Sequence, residues 1–377
     1  MSLIRHLTRI HLGEEVVEEA LAAELARHDV RRPLVVADPG RPRKLLAALL
    51  ADSPVGRARR AVFAPSPPGR PEARLARALA ELFARSGCDG VLVAGERGTV
   101  ELAKLVAVLA GGRALGPAEL ADPERALGLA RARAPLLAVA IGAGSGAEAS
   151  CTAAVEHEGE PLRLCGEHLV PSAAVFDPLL TVALDARATA VAAFEALGRC
   201  IEAVAAPGYD PPADAVALDG IARIVAALPR ALEDGRDLGA RRELAAGALA
   251  AGLASHKGQG GLEAMVRALG VLADPPPPAG ALAAVLLPHL LAFNAPALGE
   301  RRGALARALA GREDADPAEA VAGLAGRAGL PRRLGALGIG ADLLEPASRR
   351  AEADPASGTN PRRIGASQYA ALLAAAI

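Results

Sequence analysis

The first half of the chain alternates short apolar runs with longer stretches in which apolar residues recur at helical spacing. The runs are Pro33-Leu-Val-Val-Ala37, Ala61-Val-Phe63, Gly90-Val-Leu-Val-Ala94 and Pro135-Leu-Leu-Ala-Val-Ala140, separated by Ala/Leu/Arg-rich segments such as Glu72 to Arg85. Unbroken apolar runs of this length suit strands buried on both faces, so the pattern predicts βαβ units and a parallel sheet covered by helices. Between Ser150 and Asp177 the rhythm changes. Cys151-Thr-Ala-Ala-Val155 and Leu162-Arg-Leu164, on either side of His157-Glu-Gly-Glu160, predict a hairpin; with Ala173-Ala-Val-Phe176 they are expected to form a short strand ladder closing this lobe. From Asp185 onward the periodicity is helical, with breaks expected at Pro207-Gly208, Pro211-Pro212, the Pro275 to Pro278 run and Pro296. Leu218 to Leu228, Leu238 to Leu253, Leu282 to Phe293, Arg302 to Leu309 and Ala318 to Ala328 are the clearest apolar stripes, and they predict a helical bundle. The boundary is placed near Asp177-Pro178, giving an α/β domain over 1–178 and an α-helical domain over 179–377.

Composition changes this picture little. A chain of 377 residues suits two domains of ordinary size. With 42 Lys plus Arg against 43 Asp plus Glu, nothing in the net charge pulls the chain toward nucleic acid or an anionic membrane. The start has no apolar signal-peptide core, and the longest apolar stretch, Ala134 to Ala147, is Gly-rich and too short to span a bilayer, so a cytoplasmic protein is expected. Cys88, Cys151, Cys165 and Cys200 show no Cys-x-x-Cys pair and no regular spacing, so reduced, mostly buried thiols are expected rather than a zinc knuckle or a disulfide framework.

Two segments carry candidate chemistry. Asp38 follows one predicted strand and precedes a helix, where a carboxylate can accept hydrogen bonds from an adenosine ribose or simply cap a turn. Val93-Ala-Gly-Glu-Arg-Gly-Thr-Val-Glu-Leu-Ala-Lys104 reads as a strand, a glycine-containing turn and a helix start able to receive phosphate. It resembles the Gly-Gly-Gly-Ser-x-x-Asp-x-Ala-Lys motif of iron-dependent alcohol dehydrogenases. Further elements follow in that family's order. Ala143-Gly-Ser-Gly-Ala-Glu148 looks like its Ala-Gly-Thr-Gly-Ser-Glu loop, Asp177-Pro178-Leu179 like its Asp-Pro-x-Leu, and Phe194-Glu-Ala-Leu-Gly-Arg-Cys-Ile-Glu202 like its ligand helix Met-Asp-Ala-Leu-x-His-x-Ile-Glu. Gly261-Leu-Glu-Ala-Met-Val-Arg-Ala-Leu-Gly270 and Leu287-Pro-His-Leu-Leu-Ala-Phe-Asn294 continue the series; Leu330-Pro-Arg-Arg-Leu-Gly-Ala-Leu-Gly338 and Asn360-Pro-Arg-Arg363 are most like the maleylacetate reductase branch. The resemblance implies a Rossmann-like nucleotide-binding domain, an all-α domain of the dehydroquinate synthase-like, iron-dependent alcohol dehydrogenase fold, an active-site cleft between them, NAD or NADP as cofactor, and a homodimer.

The same resemblance exposes a departure. The family holds a divalent metal with one Asp and three His, the Asp and first His four apart on one helix. This chain has Glu195 and Arg199 there, Glu263 at the ligand position of the second helix with Arg267 four residues on, where the family often has a proton-relay His, and Ala279 at the last ligand position in Pro278-Ala-Gly280. Arginine stays protonated and cannot ligate a metal, so no metal is expected. Each Glu stands four residues before its Arg, the favoured order for a helical ion pair, so two such pairs are expected to fill the vacated site. The glycine turn is eroded too, with Glu96 and Arg97 at its second and third glycines and Glu101 in place of the Asp, leaving Gly95, Gly98, Thr99 and Lys104 with Gly144, Ser145 and Gly146 as the expected cofactor contacts. Asp38 argues for NAD, Arg97 for a 2′-phosphate. His256, just before the second ligand helix, is a candidate acid or base.

Three functions fit these residues: a metal-free NAD(P)-linked oxidoreductase acting on a small anionic carbonyl or alcohol, with Arg199 and Arg267 as electrophile or anion clamp; a lyase, isomerase or cyclase using the same cleft; and a non-catalytic partner subunit. The retained Asp38, Lys104 and glycine loop favour the first.

Overall fold

A computed structural model of the protein describes residues 8–51, 61–64, 72–111, 133–142, 144–157 and 160–377. Ala143, the first residue of the glycine loop, lies outside them. The chain divides into two compact units, one of residues 5–141 and 146–180, the other of residues 1–4, 142–145 and 181–377.

The α/β unit is built on a six-stranded sheet in the order β1-β8-β5-β4-β2-β3, parallel throughout. Its strands are β1 (Arg9–Leu12), β2 (Pro33–Ala37), β3 (Val62–Ala64), β4 (Gly90–Ala94), β5 (Leu136–Ala140) and β8 (Ala173–Phe176). The apolar runs are continuous because both faces are covered. Leu34, Val36, Val91, Val93, Leu136 and Ala138 enter one core, while the alternate residues Val35, Ala37, Leu92, Ala94, Leu137 and Val139 enter another. Helices α1 (Val17–Arg27), α2 (Arg41–Ala51) and α4 (Arg97–Ala110) pack against this sheet, and α3 (Ala73–Arg85) packs against α4.

One strand lies outside the predicted pattern and one expectation needs correction. β1 has no counterpart in the apolar pattern, because it is a short edge strand whose residues are only partly buried, Leu12 being 41% exposed. The predicted ladder also divides: β6 (Thr152–His157) and β7 (Glu160–Cys165) form a separate antiparallel hairpin, whereas Ala173–Phe176 returns to the main sheet between β1 and β5. All four residues of that strand are buried, so continuous apolar character marked a central strand rather than a third rung.

From β2 the chain passes to the β3 edge and then returns to β4 on the other side of β2. Such a reversal of strand order opens a crevice at the carboxyl ends of the two strands, here Ala37-Asp38 and Ala94-Gly95, which lie side by side in register.

The helical unit contains α5 (Ala186–Ala205), α6 (Pro211–Glu233), α7 (Leu238–Ala254), α8 (Gly261–Leu272), α9 (Ala279–Leu298), α10 (Glu300–Ala310), α11 (Pro317–Arg327), α12 (Leu344–Ala353) and α13 (Ala366–Ala375). Aspartates start four of them. Asp185, Asp210, Asp237 and Asp316 each accept a backbone N–H of the first turn, at 2.7 to 3.1 Å. Pro296 does not end its helix as expected. α9 runs on to Leu298, whose side chain is 3% exposed in the core, so the burial gained offsets one lost hydrogen bond near the helix end. By length and composition α9 is also apolar enough to cross a membrane; here Leu282, Leu286 and Leu290 are buried in the helical core.

α9 begins in tight contact with α5. A Cβ on Gly280 would stand 1.8 Å from the Val191 carbonyl oxygen, so only glycine permits this approach. Gly280→Ala is expected to destabilise the helical unit by at least about 2 kcal/mol, read as a lower urea midpoint by far-ultraviolet circular dichroism. An unchanged midpoint would mean the two helices can part without cost.

Candidate nucleotide turn and candidate metal centre

The switch-point turn is held from within. The residue preceding α4, Glu96, is extended and makes no side-chain cap. Asp38 replaces it: one carboxylate oxygen accepts the Glu96 N–H at 2.6 Å and the other accepts the Thr99 hydroxyl. Gly95 makes this closure possible, since a Cβ there would lie 2.7 Å from Thr99 Cβ and 2.8 Å from an Asp38 oxygen. Each carboxylate oxygen has a further accepting lone pair, so a ribose hydroxyl can still be bound beside these contacts. Glu96, though exposed, has its pKa raised by partial desolvation and by the negative charge of Asp38. A second acid at a helix N-terminus opposes a phosphate there.

Two expected cofactor contacts are directed elsewhere. Arg97 Nε pairs with Glu101 at 3.0 Å, one turn along α4. Lys104 is fully buried, and its Nζ donates to Ser150 O, Ser150 Oγ and Thr152 O at 2.8, 2.8 and 2.9 Å. An ammonium has three protons, and these acceptors take all of them. Lys104 is therefore a strut between α4 and the start of β6, not a reach toward phosphate. Gly98 lies in the first turn of α4, and Gly146, with φ 60°, is the left-handed residue that precedes a short 3-10 turn.

In the helical unit, α5, α8 and α9 meet where the sequence placed its four metal positions. A Cβ on Gly280 would be 3.0 Å from the Glu195 backbone nitrogen, which sets Ala279 beside Glu195; one on Gly198 would be 2.7 Å from Leu262, next to Glu263. Arg199 is buried and donates from Nη1 to the Ser145 carbonyl, tying α5 to the loop that also carries Gly144. A Cβ on Gly144 would stand 3.1 Å from Ala192 Cα, so that loop lies directly on α5.

Arg267 is more heavily engaged. Its Nε pairs with Glu263 at 2.9 Å, as the helical spacing predicts, and Nη1 faces Asp354 at 3.3 Å while Nη2 donates to the Gln259 side chain at 3.4 Å. Arg267, Glu263 and Asp354 are each less than a tenth exposed. Asp354, from the end of α12, had no signal in the sequence beyond its place before Pro355, where it also accepts the Ala356 N–H at 2.8 Å.

These residues do not fit a divalent metal. Among the described residues, no three His, Cys, Asp or Glu side chains come together as a ligand set. Glu263, at the ligand position of the second helix, is paired instead with Arg267, a cation that also faces Asp354. His256 is likewise committed, with Nδ1 on the Leu253 carbonyl and Nε2 on Asp210, both at 2.7 Å, which joins the end of α7 to the start of α6.

Glu202 was missed as a site residue. α8 starts at Gly260, which has no side chain to cap it, and Glu202 on α5 supplies the acceptors for the Leu262 and Glu263 N–H groups at 2.7 and 3.3 Å. Burial, then the nearby negative charge of Glu263, pushes its pKa up to about 8 from the ordinary 4.5. A carboxyl that holds its proton more tightly when folded stabilises the fold fully below its unfolded pKa, and that contribution is lost as pH rises through about 8. Urea stability is therefore expected to fall between pH 6 and pH 9 by on the order of 1–3 kcal/mol, and Glu202→Gln to flatten the fall. Parallel pH curves for the two proteins would contradict this assignment. Arg267→Met, which strands Glu263 and Asp354, is expected to cost roughly 3–5 kcal/mol in the same assay.

Comparison with known proteins agrees with this architecture. Residues 8–178 match the family model for iron-containing alcohol dehydrogenase, and residues 189–377 match the C-terminal model of the Fe-containing alcohol dehydrogenase family. The chain is 33% identical to a 4-hydroxybutyrate dehydrogenase of Cupriavidus necator over 99% of both chains. It superposes on a crystal structure of 1,3-propanediol oxidoreductase with TM-score 0.88 at 23% identity, covering all of both chains. A maleylacetate reductase from Agrobacterium tumefaciens superposes with TM-score 0.81 at 25% identity, covering 100% of this chain and 99% of that one.

Proposed function

The chain belongs to the iron-containing alcohol dehydrogenase family, and from that premise we propose that it is a metal-independent, nicotinamide-linked oxidoreductase interconverting a small carboxylated carbonyl compound and its alcohol. Its relatives are dehydrogenases of alcohols and hydroxy acids, and members of the family generally use NAD(P). A carboxylated substrate is supported by the 4-hydroxybutyrate named for one relative and by the maleylacetate named for a structural neighbour.

The observation that carries the metal-free reading is the donor set: a guanidinium at Arg267, already neutralised by Glu263 and Asp354, occupies a position where the family supplies an imidazole. Asp38 and the tight Gly95 turn fit the ribose of a dinucleotide, whose nicotinamide supplies hydride when bound. The chain must then stabilise negative charge on the carbonyl oxygen and hold the substrate carboxylate. We assign that work to Arg199, a permanently charged planar donor anchored on the glycine loop. Arg267 is assigned to positioning, because its charge is met by two buried carboxylates.

That same saturation favours a second reading, in which the site is plugged and the chain binds a partner instead of turning over. Following NADH absorbance with 4-oxobutanoate, in excess chelator, separates the two. Steady oxidation of NADH is expected, lowered by at least about 100-fold in Arg199→Met. Turnover that disappears with chelator and returns with iron would remove the metal-free reading, and NADH binding without turnover would favour the second.

A further inference from the structure

The β6–β7 hairpin brings together two cysteines that the sequence spacing kept apart. Cys165 ends β7 in register with Thr152, and the Gly166 N–H donates to the Cys151 carbonyl at 2.9 Å, so ladder hydrogen bonds hold both backbones. Their sulfurs stand 3.8 Å apart. Cys165 is exposed and Cys151 half-buried, which corrects the expectation that the thiols are mostly buried. Cys88 and Cys200 do meet that expectation, and burial raises both, Cys200 to about 12, so neither holds much thiolate near neutrality.

Cys151 also occupies a particular place in the chain. It lies between Ser150 and Thr152, the two residues whose oxygens receive the buried Lys104 ammonium. A covalent tie at Cys151 therefore fixes the segment that anchors α4, the helix whose first turn is held by Asp38.

We propose that Cys151 and Cys165 form a redox modification site, closing to an internal disulfide by exchange with a low-molecular-weight disulfide such as glutathione disulfide. The thiolate of the exposed Cys165 attacks one sulfur of the oxidant, whose other sulfur leaves as thiolate. Cys151 thiolate then attacks the mixed disulfide at the Cys165 sulfur and releases the second thiolate. Two protein thiols are oxidised, each giving up its proton, and one disulfide is reduced to two thiols. A short side-chain rotation closes the remaining gap, because the pair lies at the open end of the hairpin where the ladder ends.

The test uses the full reduced chain, incubated with glutathione disulfide, quenched with iodoacetamide and analysed by intact mass and peptide mapping. The expected result is a loss of two alkylatable thiols, a mass two hydrogens below the reduced chain, a bridged Cys151–Cys165 peptide, reversal by dithiothreitol, and an upward shift in melting temperature on oxidation. Cys151→Ser is expected to retain one glutathione on Cys165. Retention of both thiols, stable glutathione adducts on the wild-type pair without a bridge, a bridge to Cys88 or Cys200, or a Cys151→Ser protein with no adduct would each overturn the proposal.

Discussion

A guanidinium cannot surrender its proton to become a ligand, and that constraint governs the helical unit. Once Arg267 stands on α8, its buried charge needs counter-ions. The structure provides them from two directions, Glu263 one turn earlier on the same helix and Asp354 from the end of α12. All three members of this cluster are buried, so the two carboxylates are part of what allows Arg267 to remain there. The neighbouring Glu202, capping α8 with its own pKa raised, lies within the reach of the same charges. Acid and base in this region form one coupled set rather than isolated substitutions.

In the α/β unit the governing constraint is topological. Pairing of β2 with β4 brings Asp38 beside Gly95, and the local chemistry then uses Asp38 to close the turn. The glycine that admits this carboxylate is also the one retained of the motif's three consecutive glycines, with its Cβ position already filled by Thr99 and Asp38. Lys104, read from the motif as a cofactor contact, is consumed in holding α4 to the start of β6.

Much of this was legible in the sequence, for physical reasons. Strands buried on both faces leave unbroken apolar runs, and helices with one buried face leave apolar stripes at helical spacing, so β2, β4, β5 and α5 to α7 were readable. The Glu263–Arg267 pair followed from helical spacing alone. What escaped was made by pairings distant along the chain: Asp354 against Arg267, Glu202 capping a helix that begins with glycine, and Asn294 exchanging side-chain amide hydrogen bonds with Asn360 at 2.9 and 3.0 Å. β1 escaped because an edge strand has little to bury. The cysteine pair escaped because its spacing has meaning only once the hairpin register is known.

The account depends most on the claim that the four former ligand positions cannot hold a metal. Elemental analysis of the purified protein, after incubation with excess Fe²⁺ or Zn²⁺ and gel filtration, addresses this directly. The arrangement around Arg267 predicts iron and zinc far below one ion per chain. One tightly held ion per chain, lost in a Glu195→Ala, Glu263→Ala double variant that still folds, would contradict it.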